Sequence, residues 1–129
     1  MKNILFLLAS LFYLQAAAQR LPEKDPGNPD VYIVAETMPS FEGGESALYA
    51  YIAKNIRYPE TEVQGKVYVS FVIDRKGKVR DAIVFKGVGK ELDAEALRVV
   101  RAMPLWKPGM QDGAPVNVKM TLPIVFSRH

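Results

Sequence analysis

The 129-residue chain contains no cysteine, and its one histidine, His129, is the last residue. Without a thiol there is no disulfide, no thiolate metal site and no cysteine nucleophile, and a lipid anchor on a mature N-terminal cysteine is not expected. A lone terminal histidine also leaves the commonest general base missing. No phosphate loop, cluster of metal ligands or nucleophile elbow occurs anywhere in the sequence. The carboxylates that could do chemistry sit where local structure accounts for them, Asp74 at a turn and Asp93 and Glu95 at a helix start. An enzyme is therefore not expected, and neither is a cofactor or a bound metal. Charge is balanced as well. There are 17 Lys and Arg against 14 Asp and Glu, a formal net charge of +3, with no basic run interleaved with aromatics. That pattern argues against a nucleic-acid partner.

Long apolar runs are also missing, with one short exception. Ile4 to Leu14 is apolar, follows Lys2, and precedes Ala16-Ala17-Ala18. The run falls well short of the roughly 20 residues a membrane-crossing helix needs. Residues 1–18 therefore read as a secretory signal cleaved near Ala18, and the mature protein is expected in the periplasm. The alternative is an uncleaved inner-membrane anchor using Ile4 to Ala18. Residues 19–35, with Pro22, Pro26, Gly27 and Pro29 among charges, are expected to be a tether, within which Val31 to Ala35 could add a strand or cover a sheet edge. Residues 36–129 are expected to form one domain. The hydrophobic share of 49% and charged share of 24% suit a packed core rather than a disordered chain.

Within that domain the periodicity switches several times. Met38-Pro39-Ser40-Phe41-Glu42-Gly43-Gly44 reads as a loop leading into a helix over Glu45 to Asn55, with Ala47, Leu48, Tyr51 and Ile52 on one stripe. Pro59 forbids that helix from running on. Val67, Val69, Phe71 and Ile73 alternate with Tyr68, Ser70 and Val72, which is a half-buried strand. Asp74-Arg75-Lys76-Gly77 is hairpin chemistry, with Gly77 free to take positive φ. Val79, Ile83 and Phe85 mark the returning strand, broken by Lys86-Gly87-Val88-Gly89. Asp93 opens a second helix with Leu92, Ala96, Val99, Val100 and Met103 as its buried stripe, and Pro104 ends it. Asp112-Gly113-Ala114-Pro115 turns the chain into a last strand running to Phe126.

A hairpin, a crossover helix and a third strand close most compactly as a split β-α-β unit with the third strand beside the first. The fold class expected is α+β: a three-stranded antiparallel or mixed sheet with two helices on one face. The last strand then lies on an edge, where unpaired N–H and C=O groups can take up an extended peptide. Pro123, which cannot donate to a ladder, fits an edge position. Proline at Val118 or Met120 is expected to remove an outward-facing donor. Phe71, Leu97, Val100 and Trp106 are expected in the core.

The markers Tyr58-Pro59, Gly65-x-Val67-x-Val69-x-Phe71-x-Ile73-Asp74-x-x-Gly77-x-Val79, Leu92-Asp93-x-Glu95-Ala96, Trp106-x-Pro108-Gly109 and Gly113-x-Pro115-Val116 occur in the order found in one family. The run from Tyr58 to Phe126 resembles the TonB C-terminal domain, and Met38 to Glu45 upstream looks like its Bacteroidetes-type branch. The resemblance implies a non-catalytic module of TonB-dependent transport. Its last strand would pair with the TonB box of an outer-membrane transporter, or with a similar segment of another periplasmic protein. By carry-over, the pairing residues here are Val116, Asn117, Val118, Lys119, Met120, Thr121 and Leu122. Tyr58, Pro59, Phe71, Gly77, Leu97, Trp106, Pro108 and Gly109 are structural. The segment from Glu60 to Gln64 is shorter than usual in the family, so a short helix often found there should be reduced to a turn. Members that transduce energy have an anchor and a long spacer, and an anchored transducer is one alternative reading. A self-associating homodimer that pairs its own edges is another.

Overall fold

The computed structural model describes residues 21–128, and the expected signal segment lies outside the described residues. Along them run β1 (Glu23–Asp25), β2 (Asn28–Val34), α1 (Glu45–Asn55), β3 (Gly65–Ile73), β4 (Val79–Lys86), α2 (Lys90–Arg101), β5 (Gly109–Gln111) and β6 (Ala114–Phe126). The strands form one mixed sheet in the order β1-β2-β6-β3-β4, with β5 paired to β6 off that path. The α+β class and the two helices agree with expectation, but the sheet has six strands rather than three.

The unit β4-β3-β6 follows from the alternation. Val67, Val69, Phe71 and Ile73 are fully buried, and β3 pairs β6 antiparallel without a break, from Gly65↔Phe126 to Ile73↔Val118. That register brings Val118, Ile124 and Phe126, all essentially buried, to the same face. Leu92, Ala96, Val99 and Val100 of α2 close the core over it, with Leu48 and Ile52 of α1 and with Trp106. Leu97 is only partly buried and packs against the rim of this cluster.

Helix α2 begins at Lys90, three residues before the Asp93 expected to open it, with Gly89 at the N-cap and no side-chain cap there. Asp93, one turn in, accepts a hydrogen bond from the Val88 N–H at 3.0 Å, which places a carboxylate where the helix dipole favours it. The two helices are tied by Glu95, which accepts from Arg98 and from the Arg57 N–H, while Arg98 Nη2 donates to the Asn55 carbonyl at 2.8 Å. These groups hold the Glu95 carboxyl below the usual carboxylate range, Arg98 first. Residues 56–64, between α1 and β3, carry no helix, as the short Glu60 to Gln64 segment implied.

Two corrections concern the ends of the sheet. The segment expected to be a tether is a β-hairpin instead: β1 and β2 pair antiparallel around Pro26 and Gly27, with bulges that accommodate the irregular register. The prolines read as linker signals because they are confined to turn and rim positions, where no ladder donor is required. Buried Val31 and Ala35 are what fasten the segment to the domain. The other addition is β5, too short for its three residues to show a period. Its turn does carry a signal, since Asp112 and Gly113 both take positive φ, 53° and 78°, the arrangement a two-residue hairpin demands.

Gly77 is the position where glycine is required. Its φ is +85°, and a Cβ there would lie 2.0 Å from the Trp106 carbonyl oxygen. The backbone closes on itself at that point, with the Trp106 N–H donating to the Gly77 carbonyl at 2.8 Å. The β3–β4 turn is thereby bolted to the segment that leads into β5.

A candidate strand-docking edge on the last strand

The seven residues carried over to partner binding lie on β6, and the structure divides them. Val116 pairs with Gly109 of β5, while Asn117 and Val118 are in register with Val31 and Tyr32 of β2, which runs parallel to β6. Asn117 is further held by its side chain, which accepts from the Arg75 N–H at 3.1 Å and donates to the Asp30 carbonyl at 3.2 Å. These three positions are flanked. From Lys119 to Phe126 only β3 pairs with β6 among the described residues.

Which groups face outward follows from alternation. Gln111 and Ala114 close a two-residue hairpin, so Ala114 and Val116 turn their backbone groups toward β5. The Asp74 N–H donates to the Lys78 carbonyl on the β4 side at 2.9 Å, so its neighbour Ile73 faces β6, opposite Val118. Both observations give β6 one phase. Val118, Met120, Leu122 and Ile124 address β3, and β5 continues the same flank beyond the end of β3. The outward positions are Asn117, Lys119, Thr121, Pro123 and Val125. Hence Val118 and Met120 do not carry outward donors, contrary to expectation, because their N–H groups belong to the inner ladder. Pro123 occupies an outward position, where a missing N–H costs the sheet nothing.

Thr121 and Val125 are exposed, the latter by 52%. On the helix side of this open flank lies a groove of about 290 Å³, lined by the loop from Pro39 to Phe41, by Glu45, Leu48 and Tyr49 of α1, and by Trp106, Met120 and Leu122. Its floor is aromatic, with Phe41 edge-on to Trp106 at 5.4 Å between ring centroids. The loop that shapes it is held by paired backbone hydrogen bonds, Thr37 with Met110 and Ser40 with Lys107. Buried Gln111 adds a bond from the Glu36 N–H at 2.9 Å. Nothing in the sequence pattern pointed to this groove, because its two walls come from segments far apart in the chain.

The structural set falls into separate places. Tyr58 stacks edge-on against Phe126 at 5.7 Å, donates to the Val63 carbonyl and carries the Arg128 guanidinium over its ring. Pro59 is in the following turn. Phe71 and Trp106 are core neighbours, their ring centroids 5.9 Å apart. Pro108 precedes Gly109, which is packed too tightly for a Cβ: one would meet a Val118 methyl at 2.6 Å. No group of three or more metal-ligating side chains exists among the described residues.

No curated protein and no solved structure matches the chain significantly. The family described as Gram-negative bacterial TonB protein C-terminal matches residues 54–127, more than half of the sequence, and its members are envelope-associated interaction domains that contact outer-membrane transporters. The match begins at the end of α1 and takes in β3, β4, α2, β5 and β6, the whole unit that carries the open flank; the chain belongs to the TonB C-terminal family.

Proposed function

We propose that this domain is a non-catalytic periplasmic module of TonB-dependent transport. It takes up an extended segment of an outer-membrane transporter as an added strand on β6. The observation that supports this reading is the open flank of β6, where Thr121 and Val125 are exposed and no described strand intervenes. An added strand gains main-chain hydrogen bonds there, and alternate side chains give it specificity. Of the residues carried over from the family, Lys119 to Leu122 adjoin this flank, and the pairing extends past them to Val125. Pro123 limits its strength by withholding one donor.

The test is a pull-down from outer-membrane extract, comparing the full chain with its Thr121→Pro variant and identifying the captured proteins by mass spectrometry. Capture of a TonB-dependent transporter by the first and not by the folded second is the expected result. Equal capture by both would end the edge-pairing reading. Self-association is the second reading, favoured by β4, the outer strand at the other end of the sheet, where Ile83 and Phe85 are 58% and 72% exposed. It predicts a mass that rises with concentration and falls back on Phe85→Ser.

A further inference from the structure

The groove beside the open flank has a specific relation to any strand added there. Met120 and Leu122 are partly buried on the helix side of the sheet and form the groove's wall toward β6. A strand laid along the other side of Lys119 to Val125 alternates its side chains between the two faces of the sheet. Every second one is therefore directed to the helix side. There Met120 and Leu122 end, and Leu48 and Tyr49 of α1 begin. The groove adjoins the pairing edge through Met120 and Leu122, so a side chain that an added strand directs to the helix side beside them is led toward it.

Its chemistry selects the occupant. Glu45, at the exposed start of α1, is its single charged lining residue, and the remainder of the wall is aromatic or aliphatic apart from Ser40. An anionic side chain placed there would lose its hydration and meet only the like charge of Glu45, and a cationic one could reach a partner only at the exposed rim, away from the apolar wall. A volume of about 290 Å³ accommodates one large side chain. The wall also contains the indole of Trp106, whose buried Nε1 has no hydrogen-bond partner among the described residues.

We infer that the groove formed by Phe41, Leu48, Tyr49, Trp106, Met120 and Leu122 is the specificity pocket of the docking edge. It takes one large apolar side chain of an extended peptide whose backbone pairs with Thr121 and Val125. The inference rests on the edge-pairing reading and adds to it the identity of the partner residue. Half of the pocket, Phe41 to Tyr49, lies before residue 54 and outside the family match. Selectivity is thus supplied by the N-terminal segment and backbone affinity by the matched unit.

The test is selection of a displayed library of random short peptides on the immobilised full chain. Enriched peptides should share one position held by Phe, Leu, Met or a similar side chain. Changing that position to Ala should weaken binding by about tenfold or more. Tyr49 is half exposed, so its variants keep the fold, which a thermal melt verifies. Tyr49→Lys should move the preference at the shared position toward Asp or Glu, and Tyr49→Ala should move it toward larger rings. Thr121→Pro should abolish binding of every selected peptide. Peptides that depend on Thr121 but show no apolar position, or ignore both Tyr49 variants, would overturn the pocket and leave the edge standing. Selected peptides indifferent to Thr121→Pro, or no enrichment at all, would overturn both.

Discussion

The two halves of β6 contrast within a single strand. Ala114 to Val116 pairs with β5 and Asn117 and Val118 with β2, whereas from Lys119 to Phe126 β3 is the one described strand that pairs with β6. Both halves carry the same alternation and bury the same face. What differs is whether the outward backbone groups have partners. The flanked half has partners in β5 and β2, so under the proposed function strand addition is confined to the half the hairpin β1–β2 does not reach. Covering the first half also prevents an edge strand of 13 residues from pairing indiscriminately with other chains.

The largest effect that would break this contrast comes from beneath both halves. Trp106 is 5% exposed, packs on Phe41 and Phe71, and forms part of the groove wall. Trp106→Ala should destabilise the domain by about 3–5 kcal/mol, measured by chemical denaturation. A much smaller loss would mean that the core does not run continuously under the strand.

Next in size is a pair of proline substitutions that reads the phase of β6 directly. Val118 is fully buried and addresses β3 across from Ile73. Val118→Pro removes an inner ladder bond and disturbs packing, at a cost of about 3 kcal/mol. Thr121→Pro removes only an outward donor and should shift stability by less than about 0.5 kcal/mol, while abolishing partner capture. Thermal melts of the two variants would expose an error in phase at once, because the wrong phase exchanges their behaviour.

This phase marks the limit of what the sequence reveals. Alternation identifies β3, β4 and β6, and the 3.6-residue stripe identifies α1 over Glu45–Asn55. Side-chain alternation says which residues are buried, yet it does not say to which flank their N–H groups turn. That depends on the hydrogen bond between Asp74 and Lys78 and on the β5 hairpin. The sequence allowed Val31 to Ala35 to add a strand or cover a sheet edge, and β2 does so, but it did not say which residues of β6 would be covered. β2 holds two prolines' worth of turn signals around it and pairs in parallel with a strand more than 80 residues away, as the Asp30–Asn117 bond shows. The groove was invisible in the same way, since Phe41 and Leu122 meet only in the fold.

A smaller effect tests the turn that sets this phase. Asp74 is 6% exposed and accepts from the N–H groups of Lys76 and Lys78, both at 2.9 Å, and from Arg80. Burial pushes its carboxyl up, but the Arg80 guanidinium and the two backbone donors outweigh it and hold the group below the ordinary carboxylate value. A carboxyl depressed in the folded state stabilises fully above its unfolded value, about 3.9. That contribution is lost as pH falls through the lower folded value. Asp74→Asn should cost about 2 kcal/mol at neutral pH and flatten the acid limb of the stability curve below about pH 4. An unchanged acid limb would assign that pH dependence to Glu95 instead, whose carboxyl is also depressed.

The smallest effect lies at the boundary between the halves. Lys119 Nζ stands 3.7 Å from Asp25 Oδ2 of β1, with the lysine side chain 43% exposed, so the pair is worth less than about 1 kcal/mol and weakens with salt. If the β2–β6 ladder and buried Val31 hold the hairpin in place, Lys119→Ala should leave amide exchange of Tyr32 and Asn117 nearly unchanged. It should also leave partner capture intact, because the outward backbone at Thr121 is untouched. If the substitution instead releases the hairpin, exchange at Asn117 rises and pairing extends back toward Val116. The division of β6 would then be a setting of the ion pair, adjustable by ionic strength, rather than a fixed property of the fold.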